Sequence, residues 1–312
     1  MPIRRTLVAV AVALFPLPAV HAQSAFDTVP LPEVGSDYRL SFALGDVDGD
    51  GIADLVLGRE STLGLRLGRN GPPARAFAAA DQPLAKDGAR TFGTSCESNG
   101  NPRLADLDAD GDLDLVLLDV SQPNDLRPRV VWLANDGKGT FSEKRSLPTP
   151  AGGEFVVDDT CNAVDVVDWD GDGRLDLLVA GRQVLLHRGV EGGFARDGAV
   201  LTPRGRSPVT VDWDRDGDLD LLEIVAGKVV LFERRPEGLA PMAAIADAEG
   251  HTGQCWLAVV DWNGDGTLDL VLSECHEQAG ALAGGRRVKR QAVRVLQRRA
   301  AGTGSIEPPK RR

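Results

Sequence analysis

Asp46-Val-Asp-Gly-Asp-Gly-Ile-Ala-Asp54, DVDGDGIAD, is the stretch on which the reading of this chain turns. It recurs as Asp106–Asp114 (DLDADGDLD), Asp168–Asp176 (DWDGDGRLD), Asp212–Asp220 (DWDRDGDLD) and Asp261–Asp269 (DWNGDGTLD), each followed by Leu. Positions 1, 3 and 5 supply side-chain oxygens: Asp46, Asp48 and Asp50; Asp106, Asp108 and Asp110; Asp168, Asp170 and Asp172; Asp212, Asp214 and Asp216; Asp261, Asn263 and Asp265. Position 6 is always glycine, as a sharp turn with positive φ requires. Position 7 varies (Ile52, Asp112, Arg174, Asp218, Thr267), as expected of a residue that offers only its backbone carbonyl. Position 9 adds a further carboxylate: Asp54, Asp114, Asp176, Asp220 or Asp269. Oxygen donors closing on one point in a tight loop suit a hard cation. Calcium takes about six to eight such ligands, and magnesium suits the loop less because it demands octahedral geometry and keeps its waters. Up to five Ca²⁺ are expected, the fifth loop holding its ion more weakly because Asn263 removes one charge.

The five copies imply a repeat architecture. Short apolar runs precede the loops (Leu40–Leu44, Ala163–Val167, Val209–Val211, Leu257–Val260), and others follow them (Leu55–Leu57, Leu115–Leu118, Leu177–Val179, Leu221–Leu222, Leu270–Leu272). They are too short for helices and rich in Val and Leu, so they read as buried strands joined by the loop as a hairpin. A third strand follows at Gly64–Leu67, Val130–Leu133, Val184–Leu186, Val229–Phe232 and Val293–Leu296, and an outer segment at Gly139–Leu147 and Phe194–Leu201. Phe26–Pro32 resembles Phe141–Pro148 and is expected to close the ring as the outer strand of the last blade. The copies begin at residues 46, 106, 168, 212 and 261, intervals that fit one four-stranded unit each. The fold expected is all-β: a β-propeller of four-stranded antiparallel blades, five in number.

An EF-hand needs flanking helices and a bidentate Glu at position 12. That position holds Leu57, Leu117, Val179, Glu223 and Leu272, so four of the five fail, and the flanks read as strands. The phrases DVDGDGIADLVLG, DWDGDGRLDLLVAG and DWNGDGTLDLVLS resemble the FG-GAP/VCBS repeat family, whose calcium hairpins also occur in integrin α-subunit propellers. The resemblance runs from about Phe26 to Gly302. It implies a propeller with Ca²⁺ on the hairpin between the first two strands of each blade. Family propellers commonly have seven blades, against five motifs in this chain. The family serves adhesion, carbohydrate binding and accessory roles in larger enzymes or toxins.

Residues 1–22 read as a cleaved signal peptide: Arg4 and Arg5, an apolar stretch from Thr6 to Val20, and small residues before a cut after Ala22. A secreted or periplasmic protein is expected, with the propeller over 23–302, a basic tail over 303–312 and no transmembrane segment. The formal net charge is −11, and five divalent cations would offset most of it. From Arg286 onward the balance reverses, with ten Lys or Arg and a single acid, Glu307. A basic end of this kind suits an anionic surface, or is simply a basic final strand with a solvated tail; no nucleic-acid partner is expected.

Cys96, Cys161, Cys255 and Cys275 in an exported chain argue for two disulfides. Three pairings are open. Cys255 and Cys275 flank the fifth hairpin, which favours that pair with Cys96–Cys161 as its companion; a zinc site of His251, Cys255, Cys275 and His276 is the alternative. Trp169, Trp213 and Trp262 share position 2 with Val47 and Leu107, so they read as packing between blades rather than as a sugar platform. The longer connections (Ala78–Arg103, Asp119–Arg129, Pro148–Asn162, Asp247–Gln254, Ser273–Arg287) fall on the rim opposite the acidic loops. A glycan or protein ligand is expected there, near Trp256, Glu97, Asn99, His251 and His276. No nucleophile elbow, HExxH or phosphate-binding glycine loop is present, and a non-enzymatic binding or adhesion module is expected. The alternatives are a glycosidase or polysaccharide lyase working in the central cavity, and a structural subunit of a surface assembly.

Overall fold

The computed structural model describes residues 26–30, 40–59, 62–69, 76–77, 82–83, 102–119, 127–157, 163–181, 183–196, 198–202, 206–248, 256–283 and 286–298. Five four-stranded antiparallel sheets form the blades of a propeller. From the inside outward, blade 1 is Leu40–Gly45, Asp54–Arg59, Thr62–Arg66 and Gln82–Pro83. Blade 2 is Arg103–Ala105, Asp114–Asp119, Arg129–Leu133 and Arg145–Ser146. Blade 3 is Ala163–Val167, Asp176–Ala180, Val184–His187 and Ala199–Thr202. Blade 4 is Arg206–Val211, Asp220–Val225, Lys228–Arg235 and Gly238–Asp247. Blade 5 is Leu257–Val260, Asp269–Ala283 and Arg286–Arg298, with Phe26–Pro30 as its outer strand.

The N-terminal strand therefore closes the ring, pairing antiparallel from Phe26 opposite Arg298 to Pro30 opposite Arg294. The innermost strands lie against one another in cyclic order, including blade 5 against blade 1, so five blades complete the circle. Among the described residues no helix is long and apolar enough to cross a membrane.

The second strands explain why their sequence is a solid apolar run. Asp114–Asp119 and Asp176–Ala180 are buried at every residue. Each blade is covered on both faces by its neighbours, so neither face can be polar. Ala43, Val56, Leu115, Leu133 and Phe141 fill the gap between blades 1 and 2. Val116, Val130, Phe155, Val164 and Leu177 fill that between blades 2 and 3, and Trp213, Leu222, Leu257, Leu270 and Leu296 that between blades 4 and 5.

Three expected elements differ. Phe194–Leu201 is not one strand: Gly193–Phe194 folds back on Gly189–Val190, and the outer strand is Ala199–Thr202. The outer strand of blade 2 is only Arg145–Ser146, since Asp136 Oδ1 accepts from the Lys138 and Thr140 amides and holds Asn135–Phe141 in a turn. Ser273–Arg287 is not a loop. The second and third strands of blade 5 run 15 and 13 residues, against 5 to 6 and 4 to 8 in the other blades.

Candidate metal centres

Each acidic loop is held by its own carboxylates. The position-1 aspartate accepts from the amide of the position-6 glycine in all five copies, as Asp46 Oδ2 does from Gly51 at 2.7 Å and Asp261 Oδ2 from Gly266 at 2.8 Å. Its other oxygen accepts from the position-5 amide at 3.1–3.2 Å. The position-5 carboxylate accepts from the position-7 amide in every loop. These bonds curl the backbone round one point, and the position-6 glycines all take left-handed φ between +80° and +97°. Position 4 is left-handed too, and the sequence reading missed it. Gly49, Gly171 and Gly264 accommodate this freely, whereas Ala109 (φ 60°) and Arg215 (φ 63°) take it under strain.

The position-9 aspartate works in the other direction. Its Oδ2 accepts from the position-2 amide in every loop: Val47, Leu107, Trp169, Trp213 and Trp262, at 2.9–3.2 Å. Its Oδ1 accepts from the chain just past, or at the end of, the third strand: Gly68, Asn135, Gly189, Arg234 or Arg298, at 2.7–3.0 Å. One buried carboxylate thus pins both the loop and the third strand of its blade. The chain passes so close here that a Cβ at Gly68 would meet Ala53 O at 2.4 Å, and at Gly189 Leu175 O at 2.1 Å.

Burial pushes these carboxyls above the ordinary Asp range, against the pull of the backbone amides, in Asp54, Asp114, Asp176 and Asp269; Asp220 is pushed up to about 6. Like-charged loop neighbours add to the rise. A divalent cation would reverse that direction.

Oxygens of Asp46, Asp48 and Asp50 lie within 4.8 Å of one another, as do those of Asp106, Asp108 and Asp114, of Asp168, Asp170 and Asp176, and of Asp212, Asp214 and Asp216. The residues fit a hard cation by donor type and convergence. In the third loop the Arg174 guanidinium pairs with Asp172 and so supplies a fixed positive charge beside that cage. In the fifth, Asn263 Nδ2 donates to Asp265 Oδ2 at 2.9 Å while its Oδ1 accepts from the Asp265 amide. That bond from Asn263 leads the causes that hold the Asp265 carboxyl below its usual range.

Trp169, Trp213 and Trp262 are buried at position 2, between blades. Trp256 is core as well, 5% exposed, with its amide on Ser273 Oγ (2.9 Å) and its carbonyl taking the Ser273 amide (3.0 Å), so it is not available as a recognition surface. Residues 1–22 and 303–312, Glu97, Asn99, His251, Cys96, Cys161 and Cys255 lie outside the described residues; the backbone of Cys275 and His276 lies in the long second strand of blade 5.

The sequence reading also missed a buried polar cluster between the innermost strands. Arg103 of blade 2 stands 3.7 Å from Asp165 Oδ1 of blade 3 and donates to Ser207 Oγ (3.4 Å) and Pro208 O (3.2 Å) of blade 4. Asp165 Oδ2 accepts from the Thr210 amide and hydroxyl, both at 2.9 Å, and Ser207 Oγ accepts from the Leu257 amide of blade 5 at 3.0 Å. Four of the five inner strands are tied through one ion pair. A second missed group is Glu223, fully buried on blade 4, whose Oε1 accepts from Thr202 Oγ1 of blade 3 at 2.7 Å.

No curated protein matches the chain. Similar solved structures include the Tc holotoxin pore of Photorhabdus luminescens (16% identity, 88% of this chain, TM-score 0.43). Others are an Agrocybe aegerita lectin specific for non-reducing terminal N-acetylglucosamine (16%, 82%, 0.41) and the V. cholerae biofilm matrix protein Bap1 (16%, 80%, 0.32). The chain spans 15%, 66% and 38% of their respective lengths. Residues 106–179 and 212–272 match the FG-GAP-like repeat family. The chain is thus a five-bladed β-propeller with one acidic hairpin on each blade, of which residues 106–179 and 212–272 match FG-GAP-like repeats.

Proposed function

We propose that the chain is an exported, calcium-binding propeller that serves as a binding or adhesion module for glycans or proteins. The observation that carries this reading is the fivefold loop, in which carboxylates organise every hairpin and, in the first four, converge as ligands. Asp46, Asp48, Asp50 and Asp54, with the Ile52 carbonyl, would hold the first ion, and the matching residues of the other loops the rest. Bound calcium would neutralise the clustered carboxylates and lock each first-to-second-strand hairpin, making ion binding and folding one event.

With one rim given to metal, the opposite rim is where this reading puts recognition. The Arg103–Asp165 cluster between the inner strands favours binding over chemistry in a central cavity, since its charged groups are already engaged by Ser207, Pro208 and Thr210. A glycan and cell-surface binding screen, run with and without EDTA, tests the proposal. Calcium-dependent binding is the expected result. Hydrolysis or eliminative cleavage of a polysaccharide by the purified chain would replace it with the enzymatic reading.

A further inference from the structure

The acidic loops of neighbouring blades are joined by side chains that belong to neither cage. In blade 4 the Arg234 amide donates to Asp220 Oδ1 of its own blade, and its guanidinium donates to the Trp169 carbonyl in the loop of blade 3. The Trp169 amide in turn donates to Asp176 Oδ2. Blade 5 repeats the step. The Arg298 amide donates to Asp269 Oδ1, its guanidinium lies over the Trp213 ring of blade 4, and the Trp213 amide donates to Asp220 Oδ2. One run of contacts therefore passes from Asp269 through Asp220 to Asp176, with an arginine and a tryptophan between each position-9 carboxylate and the next.

A second link joins the fourth and fifth loops. Arg215, at position 4 of the fourth loop, donates to the Gly266 carbonyl of the fifth, and the Gly266 amide is the one that holds Asp261 Oδ2. Arg215 has a left-handed φ of 63° there, a conformation that is costly for a residue with a Cβ. Blades 1 and 2 are joined in the manner of the arginines by Asn135, with its amide on Asp114 Oδ1, its Nδ2 on Val47 O and the Val47 amide on Asp54 Oδ2.

Without a cation the carboxylates of one loop repel one another and favour an open hairpin. Opening the fourth loop takes Trp213 from beneath Arg298 and removes the acceptor of the Arg234 amide. Both arginines are then loosened, and each also serves a neighbouring loop. Closing the fourth loop orders them, so their side-chain entropy is lost once for three sites.

We propose that the third, fourth and fifth loops take up calcium cooperatively, with Arg215, Arg234 and Arg298 as the positioning residues that carry the coupling from blade to blade. The proposal rests on the reading of the loops as calcium sites and adds how filling one site prepares the next. Coupling between binding sites is reciprocal, so the fourth loop helps the fifth by the same factor as the fifth helps the fourth.

The test labels the full mature chain with fluorotryptophan, strips it with EDTA, and titrates it with calcium under fluorine NMR. Trp169, Trp213 and Trp262 each report on their own loop, while Trp132 and Trp256 lie outside the loops. In wild type the three loop signals are expected to titrate more steeply than one-site binding allows. Disabling the fifth loop with D261A/D265A is expected to raise the calcium midpoint at Trp213 about tenfold. Disabling the fourth with D212A/D214A is expected to raise the midpoint at Trp262 by the same factor. R298Q and R234Q change no loop carboxylate. They are expected to flatten the titration while every site still fills in excess calcium, a change of slope that a purely structural role would not produce. R145Q removes the stack of Arg145 on Trp132, outside the loops, and is expected to leave all three midpoints in place. Independent one-site titrations in wild type, or a Trp213 midpoint indifferent to both D261A/D265A and R298Q, overturn the proposal and leave the calcium sites standing. If no signal answers to calcium, both readings fall.

Discussion

The guanidinium of Arg234, at the end of the third strand of blade 4, lies 4.8 Å from the ring centroid of Trp169 in the acidic loop of blade 3 and donates to the Trp169 carbonyl. The backbone amide of the same residue donates to Asp220 Oδ1 of its own blade. One residue therefore fastens two neighbouring loops. The arrangement repeats: Arg298 of blade 5 sits 4.7 Å over Trp213 of blade 4 with its amide on Asp269, and Asn135 of blade 2 reaches Val47 O of blade 1 at 2.8 Å with its amide on Asp114.

Arg234→Ala is expected to destabilise the chain by about 2 kcal/mol, the sum of a half-buried cation–π contact and a charged hydrogen bond. Arg234→Lys should recover little of it, because an ammonium cannot stack and reach the carbonyl together. Urea denaturation in saturating calcium measures both. An alanine variant within 0.5 kcal/mol of wild type would show that the contact contributes nothing to holding blade 3 against blade 4.

The pair between Arg103 and Asp165 gives a sharper contrast. Arg103→Met alone leaves the Asp165 carboxylate buried without its counter-ion and is expected to cost about 3–5 kcal/mol. Arg103→Met with Asp165→Leu removes both charges and should cost much less. Chemical denaturation of the two single variants and the double variant closes the cycle. Additive losses would mean that the two groups do not interact.

Much of the fold is legible in the residues, for a physical reason. Loop, glycine and flanking apolar run are local, and both faces of the second strands are buried, so Leu115–Leu118 and Leu270–Leu272 stand out as solid hydrophobic runs. The closing role of Phe26–Pro30 shows in its likeness to another outer strand. Arg103 is not legible, because Arg103–Ala105 is three residues long and begins with a cation whose partners are 62 to 105 residues away. The length of the second and third strands of blade 5 is hidden as well: Glu274–Glu277 and Arg286–Arg290 carry no apolar alternation, and their pairing comes from continuing the register of the blade.

Glu223 occupies the position that is Leu57, Leu117, Val179 or Leu272 in the other blades, and burial pushes its carboxyl up to about 7, against the Thr202 hydroxyl that favours the charged form. The folded state then holds its proton more tightly than the unfolded chain, whose Glu titrates near its ordinary value. Stability is full below about pH 4.5 and falls as pH rises towards 7, by about 3 kcal/mol in all, then levels off. Glu223→Leu should abolish this slope, leaving the chain more stable than wild type at pH 8 and little changed at pH 4.5. Melting curves of both proteins across pH 4.5–8.5 test it; parallel pH profiles would contradict it.

The central claim is that the five acidic loops are calcium clips coupled to the fold, and calcium titration of the chelated, purified chain addresses it directly. Calorimetry is expected to give close to five ions per chain, with the fifth loop weakest because Asn263 replaces a carboxylate. Each site should add about 2.7 kcal/mol of stability at free calcium a hundredfold above its dissociation constant, so the melting temperature should rise steeply with calcium and fall on adding EDTA. No heat of binding and a melting temperature indifferent to both calcium and EDTA would contradict the account.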